Sequence, residues 1–170
     1  RVEHLISAFR NQGQPRRLVY VSTTGVYGDC AGAWVDERYP VAPGADRARR
    51  RLNAERQLLA WRLESDAELV ILRVAGIYGP GRLPLDRLRQ GLPMVREEEA
   101  PWSNRIHIDD LVQICIAAMR KGGDGEVYNV SDGHPSTMTD YFNRVADLAG
   151  LPRPPLITLA QGEAQLSLGM

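Results

Sequence analysis

Three consecutive hydroxyl side chains, Ser22, Thr23 and Thr24, follow the apolar run Leu18–Val21 and lead into Val26-Tyr27-Gly28. The run has the length and β-branched character of a short buried strand. In open parallel α/β sheets, ligands bind beyond the carboxyl ends of the strands. A hydroxyl there can donate to a developing alkoxide or orient a carbonyl. A strand leaving the core through a polar loop would show the same three residues, so their context has to decide. A second concentration of chemistry is Arg47-Ala48-Arg49-Arg50-Arg51. At i and i+4, Arg47 and Arg51 share one helix face. The run reads as an anion site, as a basic nucleic-acid surface or as a solvated helix face. Without interleaved aromatic or basic residues nearby, the nucleic-acid reading is the weakest. His107 precedes a helix and reads as a structural hydrogen-bonder. No His/Cys/Asp grouping has metal-ligand spacing, so no metal is expected.

The elements that must position these groups alternate along the chain. Arg1–Arg10 reads as a helix, with Val2, Leu5, Ile6 and Phe9 at i, i+3, i+4 and i+7, stopped by Gln12-Gly13-Gln14-Pro15. A long loop over Thr23–Gly44 precedes a helix over Ala45–Leu63, whose apolar side is Ala48, Leu52, Leu58 and Leu59. Glu68–Val74 is a buried strand, and Gly76–Gly81 a turn-rich exit from it. Leu83–Gln90 reads as a short helix or loop and Arg105–Ile108 as a short strand. Asp109 then caps a helix over Asp110–Lys121. A strand over Glu126–Val130 and a helix over Thr137–Ala149, capped by Ser136 and ended by Gly150-Leu151-Pro152, complete the alternation. Strand–helix alternation of this kind indicates an α/β fold with a parallel sheet.

Composition sets the frame. A chain of 170 residues suits one domain, and 44% hydrophobic residues can bury a core. The formal charge is zero, with 21 basic and 21 acidic residues, which argues against a general nucleic-acid or anionic-membrane binder. Cys30 and Cys115 lie far apart and read as reduced thiols, implying an intracellular, cytoplasmic protein. The longest apolar run, near Leu111–Met119, is too short to span a bilayer. The opening at Arg1, inside a helix that feeds a buried strand, suggests a chain truncated at its N-terminus.

Five pieces of the chain occur together in a recognisable order: VYVSTTGVYGD, RLNAERQLLAW, ILRVAGIYGPG, RIHIDDLV and VYNVSDGHPSTMTDYFNRVADLAGLP. In that order and spacing, over roughly residues 1–155, the chain resembles the C-terminal part of an extended short-chain dehydrogenase/reductase of the NAD-dependent epimerase/dehydratase family. The resemblance implies the C-terminal part of a Rossmann-type doubly wound parallel sheet, over residues 1–81, with mixed substrate-domain segments and returning Rossmann elements over 82–170. It implies NAD or NADP as cofactor. The Gly-rich turn that holds a pyrophosphate at a helix N-terminus lies outside these motifs.

Carried over position by position, the resemblance implies that Thr23 faces the reacting substrate group and that Ser22 lines the nicotinamide side. It makes Tyr27 a further catalytic candidate, Thr24, Gly76 and Arg105 substrate contacts, and Val74 and Ala75 cofactor contacts. The family's Tyr-x-x-x-Lys acid–base pair falls on Arg47 and Arg51. Arg51 can still contact ribose hydroxyls or a phosphate as a fixed cation. Arg47 cannot replace the tyrosine, because a guanidinium does not lose its proton near neutral pH. Asp36-Glu37 is expected to stabilise the long loop. Gly76 replaces an Asn, and Ser103 an Arg, that sugar-nucleotide members carry. The expected function is an NAD(P)-dependent oxidoreductase or epimerase acting on a small polar or sugar-type substrate through an atypical active site. The alternative is a catalytically silent dinucleotide-binding sensor, with a phosphate-binding or nucleic-acid-associated module using Arg47–Arg51 behind both. Expected partners are a small-molecule substrate and neither nucleic acid nor membrane, with a homodimer left open.

Overall fold

The computed structural model describes residues 2–162. The chain runs α1 (Val2–Gln12), β1 (Arg17–Thr23), α2 (Asp46–Leu63), β2 (Glu68–Val74) and β3 (Gly76–Tyr78). Short elements follow: α3 (Leu85–Arg89), β4 (Met94–Val95), β5 (Trp102–Ser103) and β6 (Arg105–His107). The last are α4 (Ile108–Lys121), β7 (Val127–Val130), β8 (Ser136–Thr137), α5 (Met138–Leu148) and β9 (Leu156–Ile157). They divide into two units. One holds the chain up to Ile77 together with Ile106–Asp132, and the other holds Tyr78–Arg105 and the residues from Gly133 on. Besides the chain up to Ile77, the first unit takes in α4 and β7.

The first unit is built on a parallel sheet in the order β1-β2-β7. Every residue of β2 from Leu69 to Val74 is buried, as a central parallel strand must be when helices cover both faces. Alternation then sorts its side chains. Leu69 and Ile71 pack with Ile6 of α1 and with Leu58 and Trp61 of α2. Val70, Leu72 and Val74 pack on the opposite face with Leu111 and Ala118 of α4 and Val130 of β7. Arg73 shares the parity of Leu69 and Ile71, so this strand turns a charge towards α2.

The amino end of the sheet is pinned by ions. Arg17 donates to Glu68 at 2.6 Å and to the carbonyls of Ala118 and Met119, which closes the last turn of α4. Arg62 forks onto Asp124 with bonds of 2.7 and 2.6 Å, and Asp124 also accepts the Leu69 amide at 2.9 Å. In the second unit, α5 places Phe142, Val145 and Ala146 against Leu88 and Met94. β4 pairs with β9 in parallel, and β5 with β8 antiparallel.

Several boundaries differ from expectation for local reasons. β1 extends through Ser22 to Thr23, because its pairing with β2 continues to Val74. Residues 76–78 form β3 rather than a turn. His107, not Asp109, caps α4, its Nδ1 accepting the Asp109 amide at 3.3 Å. Thr137, not Ser136, caps α5 by accepting the Asp140 amide. Leu5 of α1 is exposed, unlike Val2, Ile6 and Phe9, which meet the core. Arg1 lies outside the described residues.

The Arg62 hydrogen bond, reinforced by the Leu69 amide, pulls the Asp124 carboxyl from 3.8 down to about 2. A carboxyl lowered on folding stabilises the fold above its unfolded value and loses that contribution as pH falls through its folded value. Asp124→Asn is therefore expected to lower Tm at neutral pH and to flatten the fall of Tm between about pH 4 and pH 2, read by circular-dichroism melts.

Candidate functional site

The carboxyl ends of the three parallel strands carry a row of polar residues at one level. Ser22 of β1 is registered with Arg73 of β2, and Arg73 with Asn129 of β7. From α2, Glu55 closes onto this row. Its side chain is 1% exposed and accepts from Arg73 at 2.9 Å (Nη2 to Oε2) and 3.2 Å (Nε to Oε2). It also accepts a short hydrogen bond from the Ser22 hydroxyl. Arg73 donates through Nη1 to the Tyr27 hydroxyl at 2.9 Å, and that hydroxyl donates to Asn129 Oδ1 at 2.7 Å. The Arg73 guanidinium also lies 5.0 Å from the centre of the Tyr27 ring. Burial works against its charge, but the hydrogen bonds to Glu55 and Tyr27 outweigh this and hold its pKa above the usual value.

The long loop after β1 is fastened to the same row. The Asn129 amide donates to Glu37 Oε1 at 2.7 Å, and Asn129 Nδ2 donates to the Val35 carbonyl. Asp36 accepts from the Arg38 amide. Val26, Tyr27 and Leu52 form a small core against which Val35, Tyr39 and Val41 pack. Gly28 has a φ of +77°, and a Cβ there would lie 2.1 Å from the Ala42 carbonyl oxygen. Only glycine permits this approach of backbone to backbone.

The expected site residues of the first unit can now be located. Ser22 is buried and bonded to Glu55. Thr23 is partly exposed, and its Oγ1 accepts the Gly25 amide at 3.1 Å, capping the 3₁₀ turn Thr24–Tyr27. Thr23 is registered with Val74, and the next amide, that of Ala75, donates to the Val130 carbonyl at 3.0 Å. Val74 and Ala75 are buried, whereas Gly76 is exposed. Arg51 reaches the end of β1, donating to the Val21 carbonyl at 3.2 Å and to the Tyr20 hydroxyl at 3.4 Å. Arg47 is exposed near the start of α2. Tyr27 is 3% exposed, with its hydroxyl engaged at both ends.

Arg105 lies in the second unit. It is buried over the Tyr141 ring, 3.6 Å from its centre, and donates to the Ser136 hydroxyl at 3.1 Å. Among the described residues no cluster of three or more His, Cys, Asp or Glu could hold a metal. No described helix is long and apolar enough to cross a membrane. An open cavity of about 500 Å³ on the flank of α2, lined by Val41, Pro43, Arg49 and Arg56 among others, includes none of the expected site residues.

A family model described as the NAD dependent epimerase/dehydratase family matches residues 2–131. The chain belongs to this family. Protein YeeZ of Escherichia coli (strain K12) is 30% identical over 140 residues, which is 81% of this chain and 48% of that protein. A solved structure of a functionally unknown conserved protein from Silicibacter pomeroyi DSS superposes with a TM-score of 0.77 at 38% identity, over 94% of this chain and 53% of that one. The dTDP-glucose 4,6-dehydratase of Bacillus anthracis str. Ames, solved in complex with NAD, gives 0.76 at 22% identity, over 92% and 54%. The chain thus spans about half the length of the relatives it matches. The α/β architecture with parallel strands is that of these family members.

Sequence reasoning passed over Glu55, Arg73 and Asn129 as polar actors. The signal was present, because Glu55 sits at the helical spacing of Ala48, Leu52 and Leu58, and Arg73 interrupts the apolar run LVILRV. A charge at a core position in each of two packed elements marks a buried ion pair. Removing one partner strands the other, which costs about 3–5 kcal/mol. Glu55→Ala and Arg73→Ala are each expected to lose that much in urea unfolding, and the double variant less than the sum.

Proposed function

We propose that this chain forms the nicotinamide- and substrate-facing part of an NAD(P)-dependent oxidoreductase or epimerase/dehydratase acting on a small polar or sugar-type substrate. The observation that carries the reading is the Arg51 guanidinium on the Val21 carbonyl, next in the chain to Ser22 and Thr23 at the carboxyl end of β1, with Val74 registered beside Thr23 at the end of β2. The set suits the nicotinamide ribose: the Thr23 hydroxyl, one fixed cation and small apolar side chains. When bound, the nicotinamide supplies hydride exchange. Dehydratases and reductases of sugar nucleotides among the relatives support the substrate class.

The bonding supports a division of roles. Thr23 orients the substrate, since accepting from Gly25 leaves its own proton to donate. Ser22, Arg51, Val74 and Ala75 face the cofactor, with Arg47 one turn before Arg51 on the same helix face. Thr24 and Gly76, both in the first unit, serve the substrate. We assign Tyr27 to holding the strand ends together rather than to proton transfer, because its hydroxyl already bridges Arg73 and Asn129. Arg47 keeps its proton at neutral pH and takes no acid–base step. That feature also favours a second reading, a catalytically silent dinucleotide sensor. Turnover separates the two: nicotinamide held in one redox state across a panel of carbonyls and alcohols supports the sensor.

The test on this chain uses half of the cofactor. Nicotinamide mononucleotide is expected to shift the amide resonances of Ser22, Thr23 and Ala75 at millimolar concentration, and AMP to leave them unmoved. Arg47→Tyr combined with Arg51→Lys is expected to retain those shifts. Unmoved resonances at these three residues would overturn the reading.

A further inference from the structure

The arginine run at the start of α2 divides between two faces of the helix. At about 100° per residue, Arg47 and Arg51 share one side, from which Arg51 reaches the end of β1. Arg49 lies opposite them, and Leu52, Asn53 and Arg56 fall with it inside an arc of about 100°. These four residues line the open cavity of about 500 Å³, and Val41 and Pro43 of the long loop form its other wall. That wall is fixed. Val41 packs on the small core of Val26, Tyr27 and Leu52, and beside it the Ala42 carbonyl is seated against Gly28. The apolar part of the lining is Leu52, which is buried, with Val41 and Pro43, which are half-buried. The charge on this flank does not balance. Arg49 pairs with Asp46 at 2.5 Å, and both are exposed. Arg56, also exposed, has no carboxylate partner among the described residues. Two fixed cations therefore face one carboxylate.

We propose that this flank of α2 is a ligand site apart from the strand ends, and that it takes a small phosphate monoester carrying an apolar body. A guanidinium stays charged and presents its N–H donors as a planar fork. A monoester phosphate offers three acceptor oxygens and close to two negative charges, enough for two forks. A carboxylate has two oxygens and one charge, which a single fork satisfies. Asn53 lies between Arg49 and Arg56 on the same face, and its amide adds a donor to the set. A cavity of about 500 Å³ falls in the range of small-molecule sites and leaves room beyond the phosphate, beside Leu52, Val41 and Pro43. The inference is independent of the nicotinamide-facing reading of β1, which uses the other face of the helix.

The probes are phenyl phosphate and inorganic phosphate, titrated into the 170-residue chain and followed through the amide resonances of Ala42, Leu52 and Asn53. Phenyl phosphate is expected to bind about fivefold tighter, as partial burial of its ring requires. Arg49→Ala and Arg56→Ala are each expected to weaken it about tenfold, in line with the loss of a charge-assisted hydrogen bond. Arg50→Ala removes the same charge from a position outside the lining, and is expected to change the affinity by less than about twofold. Asp46→Asn releases Arg49 from its carboxylate and is expected to tighten binding about threefold. All four side chains are exposed, so these variants keep the fold. A loss in Arg50→Ala equal to that in Arg56→Ala marks a general cationic surface and overturns the proposal. Equal affinity for the two probes overturns it as well, and so does the absence of shifts at Ala42 and Asn53 at millimolar phenyl phosphate. Each of these results leaves the nicotinamide-facing reading standing.

Discussion

The Glu55–Arg73 ion pair is the constraint on which the rest of the first unit depends. Two charges withdrawn from water cost several kcal/mol each, and their attraction repays this only if every remaining lone pair and proton is matched. Here they are matched. Ser22 and Tyr27 complete the two ions, Asn129 completes Tyr27, and no buried side-chain nitrogen or oxygen among the described residues lacks a partner. The pair joins α2 to β2, and its satellites recruit β1 and β7. A hydrophobic contact in its place would hold the same elements with less say over their rotation. The polar row instead fixes the level at which three strands end, and a site made of strand ends needs that level fixed.

The two ends of the sheet are held by different means. At the amino end, Arg17 and the Arg62–Asp124 fork are partly open to solvent and bind backbone as well as carboxylate. At the carboxyl end the ions are buried and bind mainly side chains, with one longer bond from Arg73 to the Glu37 carbonyl. Acid and salt therefore reach the first set more easily than the second. The hydroxyls sit on the protected end.

Much of this was legible beforehand. Strand–helix alternation gave the parallel sheet, because β2 needs both faces covered and its apolar run says so. The ordered motifs gave the family. Boundaries were less legible. His107 rather than Asp109 caps α4, since either side chain can accept an amide at that turn and only the incoming backbone angle decides between them. Ser22 was read as facing a ligand, and its commitment to Glu55 was hidden because the two lie 33 residues apart. Tyr27 lies beside a hydroxyl cluster in sequence but is drawn inward by Arg73 and Asn129, partners that no local pattern announces. Long-range polar pairing is the part of a fold that periodicity leaves unwritten.

The approach of Gly28 to Ala42 has a consequence for how such a fold diversifies. The two residues bring the ends of the intervening segment together, and Val35, Tyr39 and Val41 pack its inner side. The outer part carries Trp34, 87% exposed. A loop whose ends are already closed behaves as an Ω-loop. Doubling its length costs only about 0.6 kcal/mol of closure entropy. Its outer residues can therefore be exchanged, lengthened or shortened with little disturbance to the strand ends beneath. In this architecture, surface variation is separated from the chemistry by the closed ends of the loop and its fastened inner side.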